Sequence, residues 1–371
     1  MRTLAQFALA AACGTCALAA PVAPAPPVPP AEAVTPDAQR PTVERDRLVE
    51  FIKALPQARS PMGDQAHQDG LRRAEALVRD RLVALGLTPV EQPFPWRPRP
   101  TRPTQTPGEA VPAAPPEPAP EQTWHNYIVE FPGTDLADEV LVLGAHFDAV
   151  PNSPGADDNA TGAAALMELA RVLKDVPRRR TLRLCFFNLE EVGLVGSRAY
   201  VQSLSPAERA RVVGMVSLEM LGYYSDKPGS QQSPIPPIEG VWDPPTVGDT
   251  IAVVGLARDR AFSQPLMAAM RDAEPALKIT PVDFLPVPVP DMMRSDHAPF
   301  VHSGLAGFML TDTANFRNPH YHTPGDTLDT LDLARYELVV RALAGAATSL
   351  GNAESWKPAP AEAPPPGVRG R

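Results

Sequence analysis

Between Val140 and Leu350 the chain alternates short apolar runs with longer stretches whose apolar residues recur every three or four positions. The runs Val140 to Leu143, Thr181 to Leu189, Val212 to Leu218, Ile251 to Val254 and Ala306 to Thr311 are dense in Val, Leu, Ile and Phe. They carry little polar alternation, as expected of strands covered on both faces. Between them, Ala163, Leu166, Met167, Ala170 and Leu173 fall on one face of a helix, and Leu331 to Leu350 reads as a closing helix. Strand then helix, repeated, predicts a three-layer α/β/α sandwich with a mostly parallel mixed central sheet flanked by helices. Upstream, Val43 to Leu55 reads as a helix and Gly70 to Leu85 as a stronger one, with Gly86 placed to end it. Strand patterns at Thr88 to Phe94 and Asn126 to Phe131 can pair as a hairpin around an external insertion.

Composition narrows the domain count. Most of the 47 prolines fall in three tracts, Pro21 to Pro36, Arg97 to Pro120 and Pro358 to Pro366. Proline has no amide donor, so none of these can form helix or inner strand. What remains is one domain at 42–355, interrupted at 97–121 and 225–249, preceded by a linker at 21–41 and followed by a tail at 356–371. Arg2, the apolar run Leu4 to Ala20 and Ala17-Leu18-Ala19 read as a secretory leader at 1–20, so export to the periplasm or beyond is expected. Cys13 follows Ala10-Ala11-Ala12, a poor lipid-acceptor context, and a lipoprotein anchor is the lesser alternative. No later run approaches the roughly 18 apolar residues of a membrane span. The net charge of −9 is spread without a lysine and arginine block, which argues against a nucleic-acid partner. The short basic run Arg178-Arg179-Arg180 reads as a solvated turn, and Cys185 as a small buried hydrophobe rather than a nucleophile.

Ligands of open α/β sheets sit beyond the carboxyl ends of the strands. There the chain places Gly144-Ala145-His146-Phe147-Asp148, Glu190-Glu191 and Glu219 after successive apolar runs, Asp157-Asp158-Asn159 before the Ala163 helix, and His322 in a loop after the last run. Each has a plain reading alone: a strand-end histidine, a helix cap, a solvated acidic pair. Together they bring imidazoles and carboxylates, the types zinc prefers, to one edge of the sheet.

With Gly155-Ala156-Asp157-Asp158-Asn159-Ala160-Thr161-Gly162, Asn188 to Ser197, Ser295-Asp296-His297 and Tyr321 to Thr327, the order of motifs resembles that of secreted bacterial dizinc aminopeptidases over roughly Asn126 to Gly351. The resemblance implies a zinc metallopeptidase with two Zn2+ per chain that releases N-terminal residues from peptides, and a monomer is expected. It implies His146 and Glu219 on one zinc, Glu191 and His322 on the other, Asp158 bridging both, and Glu190 as general base. Asp148 would orient His146, and Asp296 would stand behind the ligands, supporting His322, or be purely structural. Two features depart from the family pattern. Glu219 stands where aspartate is usual, and Met292-Met293-Arg294 lack the tyrosine and cysteine of some relatives. The insertion Ser225 to Asp249, with Trp242, is read as a surface loop or as part of a pocket wall. Three other readings remain: a one-zinc glutaminyl cyclase, a carboxypeptidase using Arg294 or Arg317, and a binding protein without metals.

Overall fold

The apolar runs become strands of one sheet because alternate residues of each face opposite layers of helix. Leu141 and Leu143 pack into the larger core, while Val140 and Val142 join Cys185, Phe187 and Met215 in a second core on the other face. Each such side chain, when fully buried, contributes about 1.5–3 kcal/mol. In this computed structural model residues 42–98 and 120–355 are described. The leader with Cys13, the linker at 21–41, nearly all of the insertion at 97–121 and the tail at 356–371 lie outside them.

The strands are β1 (Val90–Trp96), β2 (Gln122–Phe131), β3 (Leu136–His146), β4 (Arg180–Phe187), β5 (Val212–Glu219), β6 (Ile251–Gly255), β7 (Ile279–Val282) and β8 (Gly307–Thr311). Their order across the sheet is β1-β2-β4-β3-β5-β8-β6-β7. β1 and β2 form the expected antiparallel hairpin, with Val90 opposite Ile128. β4, β3, β5 and β8 run parallel, and β6 lies antiparallel to β8. After β4 the chain crosses β3 to form β5 on its other side, which makes the carboxyl end of β3 a topological switch point.

The helices are α1 (Arg45–Ala54), α2 (Gln65–Ala84), α3 (Gly162–Leu173), α4 (Val195–Ser203), α5 (Pro206–Arg211), α6 (Arg260–Ala273), α7 (His297–His302) and α8 (Leu333–Asn352). α2 begins five residues before Gly70, capped by Asp64, whose carboxylate accepts the His67 N–H at 3.2 Å. Gly70 is an interior position where a Cβ would sit 1.6 Å from the Ala58 carbonyl oxygen, so this glycine permits the α1–α2 connection to pass. α6 and the four-residue edge strand β7 go beyond the sequence pattern; β7 contains Pro281, which belongs at an edge. Cys185 is fully buried as expected, and burial pushes its thiol up to about 12.

The basic run is not a solvated turn. Arg178 and Arg180 are buried. Arg178 donates to the carbonyls of Leu173, the last residue of α3, and of Val176 beyond it, and Arg180 to those of Leu350 and Ala353 at the end of α8. Among the described residues no helix is long and apolar enough to cross a membrane.

Candidate metal centre

The carboxyl ends of β3, β4 and β5 deliver His146, Glu190 and Glu219 to one point. Their ligand atoms lie within 4.8 Å of one another, and so do those of a second group, Asp158, Glu191 and His322. Asp158 links the groups: one carboxylate oxygen is 3.4 Å from His146 Nε2 and the other 3.0 Å from His322 Nε2. His146 Nε2 also lies 3.4 Å from Glu219 and 4.0 Å from Glu190, and His322 Nε2 lies 3.2 Å from Glu191.

Close approach here is not hydrogen bonding. His146 Nε2, His322 Nε2 and Glu191 Oε1 are buried atoms without an aligned hydrogen-bond partner. Donor atoms that crowd one another yet aim at none of their neighbours are converging on shared points between them. Nitrogen and carboxylate oxygen in sets of three suit zinc, so the residues fit the metal that the motifs suggest.

Electrostatics make the same demand. Burial would depress the His146 imidazole, but Glu219, Glu190, Asp148 and Asp158 hold it well above its ordinary range. Burial, reinforced by Glu191 and Glu219, pushes Glu190 well up against the pull of His146. Burial and Asp158 push Glu191 up to about 7. His322 rises to about 10 despite its burial, through Asp158 and Glu191. Buried acids that must take protons, beside imidazoles that must keep theirs, form a site that calls for added positive charge.

The backbone is bent to build it. Leu189, Met220 and His322, beside or within the ligand positions, have positive φ of 59°, 49° and 57°. Side chains other than glycine rarely adopt that region, and it concentrates at functional sites. Asp148 accepts the N–H groups of Glu190 and Glu191 at 3.0 and 3.2 Å, so one carboxylate orients two site residues, and it lies 3.4 Å from His146 Nδ1. Asn159 accepts from Gly162 N–H and Met220 N–H at 3.0 and 3.1 Å. The helix-cap reading of Asp157-Asp158-Asn159 therefore belongs to Asn159, and Asp158 is left for the site. Asp157 points away, accepting from Gly222 N–H and Asn318.

Asp296 is fully buried at the start of α7, which packs against β5 and β8, and the charges that act on it most are those of His146, Glu219 and Asp148. Ser295 beside it donates to Glu219 at 2.7 Å, a support for Glu219 that the sequence spelled without revealing. His297 is tied to the Met292 carbonyl at 2.7 Å and is structural. Asp326 was also missed: its two oxygens accept the N–H groups of Asp157 and Asp158 at 2.8 and 3.1 Å. It occurs inside the motif that carries His322, but nothing local shows which backbone it caps.

Beside Glu219 and Tyr321 opens a pocket, partly open to solvent, walled by Ile235, Trp242, Val254 and Met309. The 225–249 insertion is thus pocket wall. Arg317 anchors it, donating to Gln231 Oε1 at 2.8 Å and to the Tyr223 carbonyl. Arg294 is engaged by Asn315 and the Tyr321 hydroxyl, both at 2.8 Å, and by Asp291.

Comparison with known proteins agrees on a lineage. The model of peptidase family M28 matches residues 126–347, more than half of the chain. The chain is 34% identical over 224 residues to the uncharacterized protein YfbL of Escherichia coli K12, covering 58% of this chain and 67% of that one. It is 29% identical over 225 residues to aminopeptidase YwaD of Bacillus subtilis, covering 58% and 42%. The matched stretch is therefore under half the length of the Bacillus relative. Among solved structures, the zinc aminopeptidase BSAP of Bacillus subtilis superposes with a TM-score of 0.61 at 19% identity, covering 83% and 95%. A glutaminyl cyclase of Porphyromonas gingivalis superposes with a TM-score of 0.55 at 17% identity, covering 81% and 96%. At these identities the likeness extends to the fold, which both chemistries share.

Proposed function

The chain belongs to peptidase family M28, and from that premise we propose that it is an exported two-zinc aminopeptidase that removes N-terminal residues from peptides. The observation that carries the reading is the pair of converging ligand groups joined through the two oxygens of Asp158. His146 and Glu219 would hold one ion, Glu191 and His322 the other, and Asp158 both. Zinc bound there supplies Lewis acidity, polarising the scissile carbonyl and making water easier to deprotonate.

The protein's own part is to place groups and move a proton. Glu190 stands farther from His146 than Glu219 does, at 4.0 against 3.4 Å, which leaves its carboxylate free to serve as the base. It takes the proton of the attacking water and returns it to the departing amine. A free α-ammonium finds the carboxylates beside the pocket, and the side chain of the first residue enters the space between Trp242 and Met309. Recognition of a substrate carboxylate would need an uncommitted cation. Arg317 is buried and bonded to Gln231, and Arg294 is held by three partners, which favours the N-terminal direction.

Mass spectrometry on one peptide in free, N-acetylated and C-amidated forms tests this. Release of the first residue from the free and amidated forms, with the acetylated form spared, is expected. Undiminished cleavage of the acetylated form, lost on amidation, would replace the aminopeptidase with a carboxypeptidase. Cyclisation of N-terminal glutamine, with about one zinc per chain, would replace it with a cyclase. Export belongs to the same proposal, with Leu4 to Ala20 as the leader. N-terminal sequencing of the native protein should read a start beyond residue 20, and an intact Met1 would remove that part.

A further inference from the structure

The α1–α2 connection carries a guanidinium, Arg59, that is 1% exposed and whose hydrogen bonds, among the described residues, all go to backbone carbonyls. Nε donates to Phe147 at 2.8 Å, one Nη to Pro56 at 3.1 Å and to Pro154, and the other Nη to Gly155 at 2.6 Å. Phe147 is the residue after His146, and Pro154 and Gly155 end the loop that leads into Asp158. One rigid fork therefore grips both ends of the segment joining two ligand positions. The Arg59 carbonyl returns a bond, accepting the Ala149 N–H at 2.9 Å in the middle of that segment.

The surroundings are shaped for this grip. Gly155 has φ +63°, and a Cβ there would lie 2.6 Å from an Arg59 nitrogen and 2.4 Å from the Asp158 carbonyl oxygen. A side chain at that position would push the guanidinium off the loop. The acids that Arg59 faces through space are Asp326, Asp148, Asp158 and Glu191, all members of the centre or its supports. Arginine suits the position because its planar fork reaches several acceptors at once, which an ammonium cannot do from one point. Residue 59 also lies ahead of the 126–347 stretch matched by the family model.

We propose that Arg59 is a positioning residue of the metal centre: it staples the loop between His146 and Asp158, and so sets zinc affinity. The inference rests on the zinc reading, and its test reads metal binding rather than hydrolysis. Arg178 supplies the control, being a buried guanidinium that also caps carbonyls, but at the end of α3 that leads into β4, away from the ligands.

Zinc would be titrated into the full metal-free chain against a chromophoric chelator, for the native protein and for Arg59→Met, Arg59→Lys and Arg178→Met, with circular dichroism to verify folding. Arg59→Met is expected to weaken zinc binding about 10–100-fold, the range for lost supports of metal ligands. Arg59→Lys, whose ammonium cannot reach the carbonyls of Phe147, Pro154 and Gly155 at once, should also weaken it, and Arg178→Met should bind zinc as the native chain does while melting earlier. A folded Arg59→Met with native zinc affinity would overturn the proposal. So would equal weakening by Arg178→Met, or Arg59 variants that stay unfolded even with zinc, since either outcome makes the role one of general scaffolding. Native protein that binds no zinc would overturn the metal reading itself.

Discussion

The two ligand groups share Asp158 but are built by different means. The His146 side chain is 1% exposed at the end of β3, between two parallel strands that deliver Glu190 and Glu219. The His322 side chain is 35% exposed on a loop, with a left-handed backbone and its ring stacked on Tyr321 at 3.8 Å between centroids. The inner group takes its geometry from sheet register, which cannot shift without breaking a ladder of hydrogen bonds. The outer group depends on a strained turn and on Asp326 holding the Asp158 backbone. A site made this way buries one half and leaves the other partly open to solvent.

The largest effect should come from the residue that belongs to the inner group by position and to neither ion by role. Glu190→Gln is expected to lower kcat at least about 100-fold while both zinc ions stay bound. Steady-state kinetics with metal analysis checks it, and loss of one ion would make Glu190 a ligand and end the distinction. His322→Ala should lose the outer ion and retain about one zinc per chain, since the inner group keeps its own ligands. Retention of two ions would show that the outer group does not depend on its histidine.

A finer division is available through Ser295, which touches only the inner group. Ser295→Ala removes the 2.7 Å bond to Glu219 and should weaken the tighter of two resolved zinc-binding steps about 10-fold, leaving the other unchanged. Equal weakening of both would mean that the groups are coupled through Asp158 rather than built separately.

The smallest expected effect is on stability without metal. Glu191 and Asp296 are raised to about 7 and His322 to about 10, so the folded chain holds protons that the unfolded chain has released. A raised folded-state pKa stabilises fully below the unfolded value and ceases to do so as pH climbs through the folded value. The acids therefore lose their contribution from about pH 4 to 7, and His322 from about 6.5 to 10. The metal-free protein should melt at a lower temperature at about pH 8.5 than at about pH 5.5. Zinc-loaded protein should show much less slope, because the ions replace the protons. Calorimetry at the two pH values, with and without zinc, reads the difference, and a metal-free Tm that rises over this range would contradict the charge arrangement.

Much of this was legible along the chain because periodicity and strand-end position are local properties. The runs at Val140, Thr181 and Val212 had to be strands buried on both faces, and an open parallel sheet has one edge where His146, Glu190, Glu191 and Glu219 could collect. What only the tertiary structure decided are contacts between residues far apart in sequence, for which local pattern carries no signal. The antiparallel turn of β6 against β8, the passage of Ala58 over Gly70, and the burial of Arg178 and Arg180 under helix ends each depend on which segment arrives from elsewhere. The same holds for Asp296, which joins His146 because α7 docks on β5 and β8. Arg59 looks like an ordinary surface arginine in a proline-flanked connection. It becomes part of the centre because a buried guanidinium must find acceptors, and the free carbonyls of the loop between His146 and Asp158 are where the fold brings it.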